Sequence, residues 1–157
     1  MTRDNDFQCD RESKKRVMEA MKEMYKPNLF TYEIEENPKA IIDCRAIGIT
    51  PNGKTVHYAV EIKHRNFTAD KYDAYYCETG KYDTLNWSRL YDNVDRAYIA
   101  NEFSDGTILL WNIKDLDPND TEDVMIARTT VGVGEYLSER IMQKRILMHK
   151  DKAIKIK

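Results

Sequence analysis

The sequence predicts one α/β domain in which a mixed β-sheet is flanked by helices. Its 157 residues, 33% charged and 41% hydrophobic, are typical of a single soluble globular domain. Several segments alternate apolar and polar residues, as strands do, and two other segments have helical periodicity. Because the second helical segment lies between strands, where a crossover would join two parallel strands, we expect the sheet to be mixed.

An amphipathic helix and a strand open the pattern. Residues 11–26 place Val17, Met21 and Tyr25 on one helical face, and the proline that follows ends the run. In residues 29–35 apolar and polar side chains alternate, which is typical of a half-buried strand.

The rest of the chain predicts further strands and one more helix. We expect hairpin strands at 40–49 and 55–63, an edge strand at 74–78, a helix at 81–94, strands at 96–103 and 107–113, and a loop at 115–120. Residues 124–129 fit a strand. Residues 135–149 fit either a helix or a helix that breaks into a strand near Arg145, and their periodicity does not decide between these alternatives.

The composition argues against several classes of protein. No window approaches 18 consecutive apolar residues and the N-terminal segment is polar, so we expect neither secretion nor membrane insertion. The cysteines, Cys9, Cys44 and Cys77, are widely spaced, which favours a reducing cytoplasm over a disulfide framework. The three histidines are equally scattered, so sequence neighbours form no zinc site.

Basic residues are concentrated towards the C-terminus. Residues 140–157 contain seven Lys or Arg and one Asp, so this segment carries +6 and the remainder −8 of the net charge of −2. Such a basic tail is typical of contact with a polyanion, because each neutralised phosphate releases counterions. The alternative is a solvated tail that only balances charge.

The turn of the first hairpin decides which side chains meet across it. Pro51 suits the first central position of a type I turn, Asn52 the second, and Gly53 the left-handed position that closes a three-residue loop. This loop pairs Thr50 with Lys54.

With this register, Asp43 lies directly opposite Glu61, and Lys63 lies two residues further along the same face. A two-residue turn would instead place Asp43 opposite Ile62, on the other face. Opposed side chains have Cβ atoms about 4.5 to 5.5 Å apart, which suits two carboxylates that share one hard cation.

Two carboxylates this close would repel each other at neutral pH unless a positive charge lay between them. Mg²⁺ prefers oxygen ligands and keeps several waters, so Asp43, Glu61 and phosphate oxygens of a substrate could complete its shell. Lys63 would then stabilise developing charge on the phosphoryl group or position the attacking water. The alternative is a surface pair of Glu61 with Lys63, which explains the lysine but not the paired acids.

The order of these elements and the segment Val60-Glu61-Ile62-Lys63 resemble the PD-(D/E)XK phosphodiesterase superfamily, whose restriction-endonuclease-like fold has an αβββαβ core. The resemblance covers residues 11–103 and leaves 104–157 as a C-terminal extension of a single domain, residues 1–157. Within the superfamily, the sequence looks similar to small nucleases of viruses, including phages, or of mobile elements, and to junction resolvases.

The resemblance implies a nuclease that requires Mg²⁺ or Mn²⁺ to hydrolyse phosphodiester bonds. Asp43 and Glu61 would be its metal ligands, and Lys63 would be its catalytic lysine.

Other positions of the sequence depart from the pattern of the superfamily. Ile42 stands where the name-giving proline would precede the acid. Glu19 and Glu23 of the first helix lie about 160° from its apolar stripe and are expected to face water, so Glu33 is the candidate for an additional acid. Lys81 fits the polar position that some members have in the helix after the motif, although it is equally an ordinary lysine of a first helical turn.

The resemblance also implies a nucleic acid partner, and we expect DNA, no membrane contact, and a location in the host cytoplasm or a virion. Whether the chain forms a homodimer stays open. The basic residues expected to contact nucleic acid are Arg65, Lys71, Lys144, Arg145, Lys150 and Lys152. The alternative to a nuclease is a noncatalytic nuclease-like domain that binds nucleic acid or serves as a structural protein of a virus particle.

Overall fold

The structure is a computed structural model that describes the backbone of residues 3–37, 40–132 and 135–157 and the side chains of residues 10–37, 40–126 and 140–157. In chain order the elements are α1 (Arg3–Met24), β1 (Leu29–Ile34), β2 (Cys44–Ile49), β3 (Thr55–Arg65), β4 (Ala74–Glu78), α2 (Thr79–Tyr91), β5 (Arg96–Phe103), β6 (Ile108–Asn112), β7 (Thr121–Gly132), β8 (Glu135–His149) and β9 (Ile154–Lys155). Short 3-10 turns follow β6 and β8.

Six strands form the larger sheet, in the order β1-β2-β3-β5-β6-β9. β3 and β5 are parallel and the other neighbours are antiparallel. The chain travels from β3 to β5 through β4 and α2, so the helix lies in the crossover between parallel strands, as predicted. The α/β class and the mixed sheet flanked by helices are confirmed.

The helix α1 covers one face of this sheet. Val17, Met18 and Met21 are fully buried and pack in a cluster with Phe30 and Tyr58. Full burial of side chains of this size stabilises the fold by about 1.5–3 kcal/mol each. The apolar stripe predicted for the first helix therefore forms its contact with the sheet, although the helix begins at Arg3 rather than at residue 11.

The other face of the sheet is covered by α2 and by a second, three-stranded sheet of order β4-β8-β7. Leu85 of α2, Tyr75 of β4 and Met148 of β8 pack in a cluster with Trp111 of β6. The Trp111 indole N–H also donates to the carbonyl oxygen of His149 at 2.8 Å, which joins the two sheets. β4 is an edge strand, as predicted, but of this smaller sheet.

The helical alternatives for residues 135–149 are wrong, because this segment is the strand β8. It pairs with β7 from Thr121 opposite Ile146 to Gly132 opposite Glu135. On its other side, its last residues pair with β4. Ile146 and Met148 are both buried, with the two-residue spacing of a strand.

The basic C-terminal segment is folded rather than a free tail. Its first part belongs to β8, and β9 pairs with β6 at the edge of the larger sheet. The backbone N–H of Ile156 donates to Ile108 at 3.0 Å, and Lys157 accepts from Ile108 at 2.9 Å. The extension at 104–157 thus completes the sheet of the predicted core. No helix of the described backbone is long and apolar enough to cross a membrane.

Candidate active site

The turn between β2 and β3 has the predicted three-residue form. The backbone N–H of Thr50 donates to the carbonyl oxygen of Lys54 at 2.9 Å, and that of Gly53 donates to Thr50 at 2.8 Å. Gly53 has a φ of 86°, the left-handed conformation that favours glycine. The ladder runs back from this turn to Cys44 opposite Val60, so the register that places Asp43 across from Glu61 is confirmed.

Asp43 lies directly before β2 rather than within it, because β2 begins at Cys44 and not at residue 40 as predicted. Its Oδ2 accepts the backbone N–H of Ile62 at 2.8 Å, and its Oδ1 lies 3.2 Å from Lys14 Nζ. The Lys14 side chain is only 11% exposed and also lies 2.9 Å from Asp10. Burial acts to lower the pKa of Lys14, but its contacts with Asp10 and Asp43 raise it overall, so this ammonium stays charged beside Asp43.

Glu61 lies in the middle of β3 and is only 3% exposed. Its Oε1 is 3.0 Å from Lys81 Nζ in the first turn of α2. Its Oε2 is buried and has no hydrogen-bond partner within the described part of the chain. Burial, followed by the charge of the adjacent Asp43, raises the pKa of Glu61 to about 7, although Lys81 opposes this change.

A cavity of about 100 Å³ adjoins Glu61 between the two sheets and α2. β3 alternates, so that Tyr58, Val60 and Ile62 pack towards α1 while Glu61 faces the cavity. The charged residues that line the cavity are Glu61, Lys63, Arg65, Glu78, Lys81 and Arg145. The structure therefore brings Glu61, Lys63 and Lys81 to one cavity with two of the basic residues expected to contact nucleic acid, Arg65 and Arg145. Asp43 does not line this cavity, but its charge acts on Glu61.

Glu33 is not brought to this cavity. It is exposed on β1, opposite Arg45, and lines a separate hollow of about 490 Å³ that also contains Asp92. This hollow is larger than the one at the acids but contains no opposed pair of carboxylates. The acid next to Asp43 on this side is Glu35, which directly follows β1 and whose backbone N–H donates to the Asp43 carbonyl oxygen at 2.8 Å.

The remaining basic candidates lie apart from the acids. Lys71 Nζ lies 5.1 Å from the centre of the Phe67 ring. Lys144 is exposed on β8, and Lys150 and Lys152 lie in the 3-10 turn before β9. Glu19 and Glu23 are exposed on α1, as expected.

A second charged cluster, on the α1 side of the sheet, was not predicted. Glu102 of β5 is 3% exposed and accepts hydrogen bonds from Ser13 at 2.9 Å and from Arg16 at 2.7 and 2.8 Å. His64 Nδ1 lies 2.9 Å from the same carboxylate. Burial opposes ionisation of Glu102, but these hydrogen bonds lower its pKa overall.

Two signals in the sequence could have revealed these contacts. Ser13 and Lys14 lie three or four residues before Val17, on the face of α1 that packs against the sheet. Polar residues on such a face require buried partners. Glu102 likewise interrupts an otherwise buried strand, where a charge is stable only if it is paired.

Comparison with known proteins adds a structural similarity. No protein-family model matches the chain, and no curated protein sequence matches it significantly. The fold is similar to that of Hjc, a Holliday junction resolvase from the archaeal hyperthermophile Archaeoglobus fulgidus, with 15% sequence identity and a TM-score of 0.48 over 91% of this chain and 95% of that chain.

Proposed function

We propose that the chain is a divalent-metal-dependent nuclease that hydrolyses phosphodiester bonds of nucleic acid, with DNA as the favoured substrate. The observation that carries the proposal is the opposed pair of acids. The register places Asp43 across from Glu61, the charge of Asp43 raises the pKa of Glu61, and Glu61 keeps one buried oxygen without a partner in the described part of the chain. Burying a carboxylate oxygen without a partner costs free energy, and a bound cation would remove this cost by coordinating the oxygen.

The donor set fits Mg²⁺ or Mn²⁺. Within the described residues, no group of three or more His, Cys, Asp or Glu is arranged to hold a metal. Two carboxylates are nevertheless sufficient for Mg²⁺, which fills its remaining positions with water and substrate phosphate oxygens. When bound between Asp43 and Glu61, the ion would neutralise phosphoryl charge and make a nucleophile available from water at neutral pH.

The side chains of this protein would orient the acids and the substrate. The Ile62 N–H and Lys14 hold the two oxygens of Asp43, and Lys81 holds Oε1 of Glu61. Lys14 and Lys81 are therefore positioning residues in this proposal. Lys63 is exposed at the cavity and is free to approach a phosphate, so its ammonium would stabilise charge that develops during cleavage.

A cleavage assay with matched variants tests the proposal. Plasmid, single-stranded and four-way-junction DNA are incubated with the protein and Mg²⁺, Mn²⁺ or EDTA. We expect metal-dependent cleavage by the wild type and none by Asp43→Asn or Glu61→Gln. Lys63→Ala should bind metal as well as the wild type or better, because a competing cation has gone, and should cleave about 100-fold more slowly.

Asp92→Asn is the control, because Asp92 is an exposed acid paired with Arg45 away from the cavity. Its cleavage rate should equal that of the wild type. Wild-type protein that cleaves none of these substrates with either ion, or acid variants as active as the control, would contradict the proposal.

A noncatalytic nucleic-acid-binding or structural subunit, for example of a virion, is the second candidate. It is favoured by the two ion pairs, in which Lys14 and Lys81 already neutralise Asp43 and Glu61 without a metal. Thermal denaturation separates the candidates. The nuclease should melt at a higher temperature in millimolar Mg²⁺ or Mn²⁺ than in EDTA, whereas a closed ion-pair cluster should be indifferent to both ions.

A further inference from the structure

Two arginines from different sheets meet in the cavity beside the acids. Arg65 is the last residue of β3 and lies on the same face as Glu61 and Lys63, because side chains two residues apart in a strand share a face. Arg145 belongs to β8 of the smaller sheet. Both line the cavity of about 100 Å³.

Arg65 is placed there at an energetic cost. Its Nε is buried and has no hydrogen-bond partner in the described part of the chain. Burial lowers the pKa of Arg65, and the charge of Arg145 lowers it further. Since a guanidinium does not lose its proton near neutral pH, a charged donor remains without an acceptor next to a second positive charge.

The acids around the cavity offset this repulsion only in part, since Glu78 acts to raise the pKa of Arg65 but burial and Arg145 lower it overall. Glu61 is engaged by Lys81 at 3.0 Å. Glu78 lies 3.9 Å from Arg145, beyond hydrogen-bonding distance, and Arg145 Nε donates instead to the neutral Gln143 at 2.8 Å. The four basic and two acidic residues around the cavity leave it with an excess of positive charge.

We propose that Arg65 and Arg145 together bind one phosphate group of the nucleic acid, next to the phosphate that is cleaved between Asp43, Glu61 and Lys63. This inference rests on the proposed nuclease function. A planar guanidinium group can donate two parallel hydrogen bonds to a phosphate, and a phosphate would supply the acceptor that Arg65 Nε lacks in the described part of the chain. The small, charged cavity suits a phosphate group rather than a base. The phosphate is either internal to the strand or at its end.

Binding in EDTA tests this subsite independently of cleavage. Fluorescence anisotropy with a labelled oligonucleotide compares the wild type with Arg65→Gln and Arg145→Gln. The control is Arg140→Gln, an exposed arginine of the same strand β8. We expect each cavity variant to bind the oligonucleotide about tenfold more weakly than the wild type. The slope of log affinity against log salt concentration should fall by the equivalent of about one released counterion. The control should change affinity by less than about threefold.

Thermal denaturation with inorganic phosphate separates a binding role from a structural one. Without phosphate, Arg65→Gln should melt at the same temperature as the wild type or higher, because it removes an unpartnered buried donor. Phosphate should stabilise the wild type and Arg140→Gln but not Arg65→Gln. Arg65→Lys keeps the charge without the planar group and should respond weakly.

Oligonucleotides of one sequence with a 5′-phosphate, a 3′-phosphate or neither identify the source of the phosphate. If the cavity variants bind more weakly than the control, equal wild-type affinities indicate an internal phosphate. A preference of the wild type that Arg65→Gln abolishes indicates a terminal one. If metal-dependent cleavage is found but the cavity variants behave like Arg140→Gln in both measurements, the subsite is wrong. If cleavage is absent while the cavity variants lose phosphate binding, the subsite stands and the nuclease proposal fails.

Discussion

The buried carboxyl of Glu61 predicts that the metal-free protein loses stability as the pH rises. Burial and the charge of Asp43 raise the pKa of Glu61 from its ordinary value of 4.5 to about 7, against the opposing effect of Lys81. Between these values the folded protein holds a proton that the unfolded chain has released. The free energy of unfolding therefore falls as the pH rises through this window.

The magnitude follows from the two pKa values. A tenfold change in proton affinity corresponds to about 1.4 kcal/mol, so a pKa of about 7 in place of 4.5 means that ionised Glu61 costs the folded state about 3 kcal/mol. At pH values below the ordinary pKa the carboxyl is protonated in both states, and this cost is absent. The Glu61→Gln variant keeps the shape of the protonated acid but cannot ionise, so it should lack this pH dependence.

Urea denaturation of both proteins in EDTA, at intervals between about pH 4.5 and 8.5, measures the effect. Subtracting the two stability curves removes the groups that both proteins share, including the histidines. We expect the free energy of unfolding of Glu61→Gln, relative to that of the wild type, to increase by about 3 kcal/mol from the acid to the alkaline end of the range. A difference that does not vary with pH, or one that grows in favour of the wild type at alkaline pH, would refute the reasoning.

Three further predictions concern the frame around the site. Glu102→Gln should lower the free energy of unfolding by about 2 kcal/mol in urea denaturation, because Glu102 accepts hydrogen bonds from α1; a loss below about 0.5 kcal/mol would contradict this role. Deletion of 154–157 should lower the melting temperature, because it removes β9. Replacing Lys150 and Lys152 by Gln should leave the melting temperature unchanged, but in EDTA it should weaken DNA binding and reduce the dependence of the affinity on salt. Gly53→Ala should lower the free energy of unfolding by about 1 kcal/mol in urea denaturation. The loss should come from the positive φ alone, because the added Cβ would meet no atom within 4 Å, and an unchanged stability would contradict the strained turn.

The convergence of the two acids is predictable from the sequence because it depends on local conformational preferences. Pro51 and Gly53 each restrict the backbone of the turn, and the turn fixes the pairing of the strands on both sides. Once the register is known, the alternation of side chains determines which residues share a face. Glu33 could not be placed in this way, because β1 and β2 are joined by a longer connection whose length does not specify a register, and the structure puts Glu33 opposite Arg45.

The strand β8 shows the opposite case. Its residues include good helix formers such as Leu147 and Lys144, and its local pattern fits a helix. It is a strand because β7 and β4 pair with its two edges, and neither contact is visible in its own periodicity. Arg145 consequently reaches the cavity only through tertiary structure, and Lys14 of α1 reaches Asp43 in the same way.

The contact of Lys81 with Glu61 leads to a last prediction, in which the sign of the effect changes with pH. Lys81 lies 3.0 Å from Glu61 Oε1 and opposes the raised pKa of this acid, but its ammonium also competes with a metal for the charge of the carboxylate. In Lys81→Met, Glu61 should therefore hold its proton to a higher pH, so Mn²⁺ should bind more weakly than to the wild type near pH 6.5. Near pH 8.5, where the acid is ionised in both proteins, loss of the competing ammonium should make Mn²⁺ bind more tightly.

Calorimetric titration with Mn²⁺ at both pH values measures this crossing. Lys71→Met is the matched control, because Lys71 lies over the Phe67 ring away from the acids. Its Mn²⁺ affinity should follow that of the wild type at both pH values. If Lys81→Met changes the Mn²⁺ affinity equally at the two pH values, Lys81 acts on the site only through its positive charge at a distance. The ion pair would then have no part in setting the protonation of Glu61, and the positioning role assigned to Lys81 would be wrong.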